Sequence, residues 1–115
     1  NLQCTEYTHF RIKQKLGLVI PWTPKMRPRH GKYWGDYFPF SDTPKQNSAM
    51  SFTSGFRHPA AQETGHIAFV EEVFFDGIIR ISEANWDEKG SYIDDRVLLV
   101  NEYKNIWKAK FILFS

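Results

Sequence analysis

The sequence predicts an α+β domain, and three observations point there. A helix signature occupies the first seventeen residues, apolar runs separated by turn signals fill the second half, and 115 residues suffice for one sizeable core. Apolar residues make up 42% and charged residues 24%, which excludes both a disordered chain and a fibrous one. A single domain over 1–115 is expected. Because the chain opens on Asn1 rather than Met, it is read as a fragment of a longer protein.

The opening segment NLQCTEYTHFRIKQKLG reads as a helix from near Cys4 to Gly17. Glu6 in the first turn and Lys13 and Lys15 in the last complement the helix dipole, and Gly17 can take the left-handed conformation that closes a helix. Tyr7 and Phe10 mark one apolar stripe and Ile12 and Leu16 another, so burial on two sides is expected. From Val19 to Asn47, five prolines and two glycines alternate with aromatics. Proline removes backbone donors while aromatics demand packing, so this stretch is expected to be ordered irregular structure rather than a linker. Ser48 to Phe52 follows as a short buried strand.

The strongest local signal is IAFVEEVFFDGIIRISEANW, Ile67 to Trp86, in which Asp76-Gly77 separates two apolar-rich runs. Asp-Gly suits a two-residue type I′ turn, which needs positive φ at both central positions. Arg96 to Val100 and Trp107 to Phe114 read as further strands, giving a helix followed by an antiparallel meander.

Charge and cysteine content narrow the function. A net charge of +2 is far from the basic stripe of a nucleic-acid binder, and the run KMRPRHGK is broken by Pro and Gly into a solvated loop. The single cysteine excludes an intramolecular disulfide and a multi-cysteine zinc site. No apolar run approaches the roughly 20 residues of a membrane span. Asp87, Glu88, Asp94 and Asp95 do not follow the order of an EF-hand loop, so they read as a solvated turn, and neither a metal nor a cofactor is expected.

The expected hairpin register brings chemistry together. With Asp76-Gly77 as the loop, Val70 faces Glu83, Ala68 faces Asn85, and His66 lies one diagonal step from Asn85. Opposed side chains share a sheet face and diagonal neighbours are about 7 to 8 Å apart, so His66, Glu83 and Asn85 crowd one face. An imidazole oriented by a carboxylate or amide is the base half of a nucleophilic site. Cys4 is the only thiol available as the nucleophile, and a helix N-terminus together with a nearby imidazolium favours its thiolate. Backbone N–H groups at the same helix end could hold an oxyanion.

The segments Gln3-Cys4-Thr5, Pro44 to Phe52, Gly65 to Val70 and Ile81 to Trp86 together resemble, in order, the signature blocks of the cysteine, histidine-dependent amidohydrolase/peptidase (CHAP) family. That resemblance implies a papain-like α+β fold, an N-terminal helix carrying the nucleophile packed on an antiparallel sheet. It implies Cys4 as nucleophile, His66 as general base and then acid, and Glu83 and Asn85 as partners of the ring. It further implies a peptidoglycan substrate, cut either at the amide joining muramic acid to L-alanine or within the stem peptide and cross-bridge. The expected setting is extracellular or at the cell wall, in a bacterial or phage-encoded protein such as an endolysin, with the domain acting as a monomer. Asn47 stands where the family has Gly at the start of a strand, and Asn tolerates the positive φ such a position needs. Tyr33-Trp34-Gly35-Asp36-Tyr37 matches the family's aromatic region only loosely, with Trp34, Tyr37 and Trp86 as candidate substrate-binding residues. Two alternatives are a non-catalytic glycan-binding module using those three aromatics, and a small-molecule amidase of the glutathionylspermidine type.

Overall fold

The computed structural model describes residues 4–52, 65–84 and 93–114. Helix α1, Cys4–Leu16, is the predicted one, and Gly17 closes it at φ +67 with its N–H on the Lys13 carbonyl at 2.9 Å. Its buried face is a single stripe: Thr8 and Ile12 are fully covered, Cys4 and Leu16 extend the line at four-residue spacing, and Tyr7 lies beside it. The expected second stripe is absent, since Phe10 remains 54% exposed. Enclosing Ile12 completely contributes on the order of 2 kcal/mol.

The proline-rich stretch is ordered, as expected, but contains a 3₁₀ turn at Gly31–Tyr33 that continues into a short helix α2, Trp34–Tyr37. Six strands follow: β1 Phe40–Ser41, β2 Ala49–Phe52, β3 His66–Val73, β4 Ile79–Ala84, β5 Ile93–Leu98 and β6 Lys110–Ile112. They form one antiparallel sheet in the order β1-β6-β2-β3-β4-β5. The run β2 to β5 is the predicted meander. Strand β6 departs from it by inserting between β1 and β2, and it is shorter than the Trp107 to Phe114 run suggested because Lys108 sits at φ 51, off the extended conformation. A π-helical turn at Asn101–Ile106 was not foreseen. It is held by Glu102, whose carboxylate accepts the Leu99 N–H at 2.9 Å, and by Tyr103, whose hydroxyl donates to the Gly77 carbonyl at 2.6 Å.

The hairpin register differs from expectation in an instructive way. The loop holds three residues, with Phe74 N–H bonded to the Ile78 carbonyl and Gly77 alone at positive φ, +87. An Asp-Gly pair preceded by one further loop residue forms a type I turn ending in a left-handed glycine. A bulge between Val70 and Glu72 then shifts the pairing again, so that Val70 faces Ile81 rather than Glu83. Each step moves the register by one residue. Two steps restore the original facing, so His66 and Glu83 still project from the same side of the sheet. The bulge also aims Glu71 at α1, where it accepts from Arg11 Nε at 3.0 Å and from the Ser82 hydroxyl at 2.6 Å. These bonds hold Glu71 below its ordinary pKa against the burial that would raise it.

Two cores lie on the two faces of the sheet. One joins Met50, Phe52, Ala68, Val70, Ile81 and Phe111 beneath the π-helical turn. The other joins Ala49, Ile67, Phe69 and Ile112 to Ile12, Trp34 and Phe38. Within the second face, the Thr8 hydroxyl is buried with no hydrogen-bond partner. An unmet buried hydroxyl costs about 1–3 kcal/mol, so Thr8→Val is predicted to stabilise the domain by about 1 kcal/mol. Urea denaturation tests this, and a loss of stability in the variant would refute the orphan assignment.

Candidate active site

Helix α1 runs in the same direction as β3, since Cys4 at its start meets His66 while Arg11 meets Glu71 further along the strand. Cys4 is the first helical residue and half-buried. His66 opens β3 and is 4% exposed. Its Nε2 lies 2.9 Å from Glu83 Oε1, and the Cys4 side chain lies close enough to the ring to raise its pKa. The register that pairs Ile81 with Arg96 sets Arg96 diagonally across from Glu83. Arg96 donates from Nε to Glu83 Oε2 and, at 3.0 Å, from its terminal nitrogen to Oε1. Glu83, 1% exposed, is therefore charge-paired on both sides.

Aromatic packing holds this chain of groups in place. Phe52 meets the His66 ring edge-on at 5.2 Å and stacks on Trp107 at 5.5 Å. The Arg96 guanidinium lies 5.4 Å from the Trp107 ring and 5.9 Å from the Phe52 ring. The backbone before the histidine is fixed by two glycines. A Cβ on Gly31 would fall 2.5 Å from the His66 carbonyl carbon, and Gly65, at φ +66, would bring a Cβ within 2.5 Å of the Lys32 side chain. Only glycine lets these two segments approach so closely. Ser51 clamps the contact by donating to the Gly31 carbonyl at 2.6 Å.

Electrostatics follow from the geometry. Burial alone would lower the His66 pKa, but hydrogen bonds to Cys4 and Glu83 and the charges of both outweigh it and lift the value to about 9. Burial would raise Glu83, yet His66 and Arg96 hold it below the ordinary carboxylate value.

Of the residues singled out in the sequence, Cys4, His66 and Glu83 are brought together. Asn85 and Trp86 lie outside the described residues, as do Asp87 and Glu88. Trp34 requires a correction as a stacking platform: it is 1% exposed, packed against Trp22 and Phe114, and its indole N–H donates to the Arg29 carbonyl at 3.1 Å. The aromatic crowding of its segment serves the core beneath α1. Tyr37 is half-buried and donates its hydroxyl to the Pro28 carbonyl at 2.8 Å. Sequence reasoning gave Arg96 no role. The run Arg96-Val97-Leu98-Leu99-Val100 shows no polar alternation that would reveal which face turns inward. Among the described residues no group of three or more His, Cys, Asp or Glu side chains is placed to hold a metal ion.

A helix-borne cysteine facing a strand-borne histidine, on an antiparallel sheet, is the papain-like arrangement. Comparison with known proteins agrees: the CHAP domain profile matches residues 1–85, and the chain belongs to that family. An N-acetylmuramoyl-L-alanine amidase domain-containing protein of Staphylococcus aureus is 40% identical over 90 residues, covering 72% of this chain and 13% of that protein. The staphylococcal secretory antigen SsaA of the same species is 28% identical over 100 residues, 87% of this chain and 35% of the antigen. A crystal structure of an N-acetylmuramoyl-L-alanine amidase from S. aureus superimposes with a TM-score of 0.70 at 33% identity, over 96% of this chain and 29% of that one. The chain thus spans about a third or less of the length of these relatives.

The raised His66 pKa makes a prediction about stability. A group whose folded pKa lies above its unfolded value stabilises fully below the latter and loses that contribution as pH rises through the former. The wild-type thermal midpoint should therefore decline between pH 6.5 and about 9, and His66→Gln should flatten that decline. Equal slopes in the two proteins would count against a protonated, paired ring.

Proposed function

We propose that this domain is a cysteine-dependent peptidoglycan hydrolase that cleaves an amide through a thioester on Cys4. The observation that carries the reading is the linked set Cys4, His66, Glu83 and Arg96, in which the ring interacts with the thiol and hydrogen-bonds a buried, charge-paired carboxylate. Family membership and the likeness to proteins named as amidases support the substrate class. The CHAP pattern adds Asn85 as a further partner of the ring, and the aromatics Tyr37 and Trp86 are the candidate substrate contacts.

In the proposed reaction, His66 holds the thiol proton as an imidazolium and the Cys4 sulfur attacks the carbonyl carbon of the scissile amide. The tetrahedral oxyanion is met by backbone N–H groups at the start of α1, where the helix dipole is positive. The C–N bond breaks as imidazolium gives its proton to the departing amine, leaving a thioester. Water, deprotonated by the now neutral ring, attacks that thioester and releases the acid, returning the proton to the ion pair. Glu83 stays ionised throughout and holds the ring's orientation, while Arg96 keeps Glu83 charged in its buried site. An amidase cut releases the lactyl carboxyl of muramic acid and the amino group of L-alanine, and an endopeptidase cut opens the stem or cross-bridge. Work on the wall places the domain outside the cytoplasm, a reading supported by its likeness to a secretory antigen.

Cys4→Ala and His66→Ala are each predicted to lower turbidity loss of susceptible cell walls by about a thousandfold or more, with circular dichroism unchanged. Full activity in Cys4→Ala would end the proposal. Mass spectrometry of the products identifies the bond cut. The pH profile offers a separate check, because the ion pair needs a protonated ring. Above a pH of about 9, kcat/KM is expected to fall as His66 loses its proton. A rate still climbing beyond pH 10 would contradict that assignment.

A further inference from the structure

Phe52, which packs edge-on against His66, also lines a pocket of about 110 Å³ with Lys32, Ser51, Lys108 and Lys110. Three lysines line it, and among the described residues its wall carries no carboxylate. The ion pairs seen between described residues take their cations from Arg11, His66, Arg80 and Arg96 and not from these lysines. Asp42 lines the adjoining hollow of about 370 Å³ instead, beside Lys104, Lys108 and Lys110. The Ser51 hydroxyl is committed to the Gly31 carbonyl, so the lysines supply the donors.

Lys108 is exposed, and the other two lysines lie against aromatic rings. Lys32 Nζ lies 5.1 Å from the Tyr33 ring and Lys110 Nζ 4.8 Å from the Phe40 ring, while Lys108 occupies the left-handed region at φ 51. The pocket is also tied to the reactive centre, because Lys32 directly follows Gly31, whose backbone abuts that of His66. A pocket lined by lysines suits an oxyanion, which accepts charge-assisted hydrogen bonds from ammonium groups. A volume of about 110 Å³ leaves room for a carboxylate.

We propose that Lys32, Lys108 and Lys110 form a subsite for a free carboxylate of the substrate's peptide, seating it relative to Cys4. This rests on the hydrolase reading above, and binding measured without turnover keeps the two separable. The test titrates the Cys4→Ala protein, by amide chemical shifts, with a disaccharide-peptide bearing free carboxylates, with its fully amidated counterpart, and with glycerol phosphate. The carboxylated ligand should shift Lys32, Ser51, Lys108 and Lys110. Amidation of the ligand, or the paired substitution Lys32→Met and Lys110→Met, should each weaken binding roughly tenfold, while the substituted protein should bind the amidated ligand as the parent does. Methionine keeps the aliphatic stems, so packing against Gly65 and Phe40 is retained. Equal affinity for both peptides would overturn the subsite, and shifts at these residues caused by glycerol phosphate alone would overturn the carboxylate assignment in favour of a phosphate polymer. Loss of the hydrolase reading with these shifts intact would leave the subsite standing.

Discussion

The buried carboxylate of Glu83 is the constraint on which the site depends. At 1% exposure an unpaired charge there would cost several kcal/mol, and only the simultaneous approach of His66 and Arg96 makes it tolerable. Each partner comes from a different strand: β3 carries His66, β4 carries Glu83 and β5 carries Arg96. The three-strand order of the meander is therefore a requirement of the electrostatics as much as of the apolar cores. A polar network of this kind, closed on both sides, is rigid because no member can leave without stranding another.

The ring's approach to the helix is governed by backbone sterics. Gly31 and Gly65 remove side-chain volume where the 3₁₀ turn presses on the start of β3, and Ser51 bonds across the contact. The histidine thereby receives its direction from segments far apart in sequence. Phe52 and Trp107 fill the space beside it, so that rotation of the imidazole would have to displace stacked rings. On the opposite face, Arg11, Glu71 and Ser82 pin α1 to the sheet, which sets where the helix begins and hence where Cys4 stands.

Much of this was legible before the fold was seen. Gly17 and the charges of the first segment located α1, Asp76-Gly77 located the hairpin, and Asn47 adopts the positive φ, 66, that its place at the start of β2 asks for. The shared face of His66 and Glu83 was also foreseen, although by a register that proved wrong. Turn chemistry predicted a two-residue loop where three residues form it, and nothing local announces a bulge at Glu71. The two errors cancelled because side chains alternate with period two.

Local sequence determined the elements whose causes are local: caps, turns, alternation, and the identity of the one thiol. Tertiary structure alone decided which residues became partners across distance. Arg96 acquired its role through pairing with β4, Trp34 lost its expected one by burial beneath α1, and Lys32, Lys108 and Lys110 line one pocket because β6 crosses to lie beside β2. Side-chain periodicity tells which residues share a face of one element. It does not tell which elements adjoin, because that depends on how two cores close around one sheet.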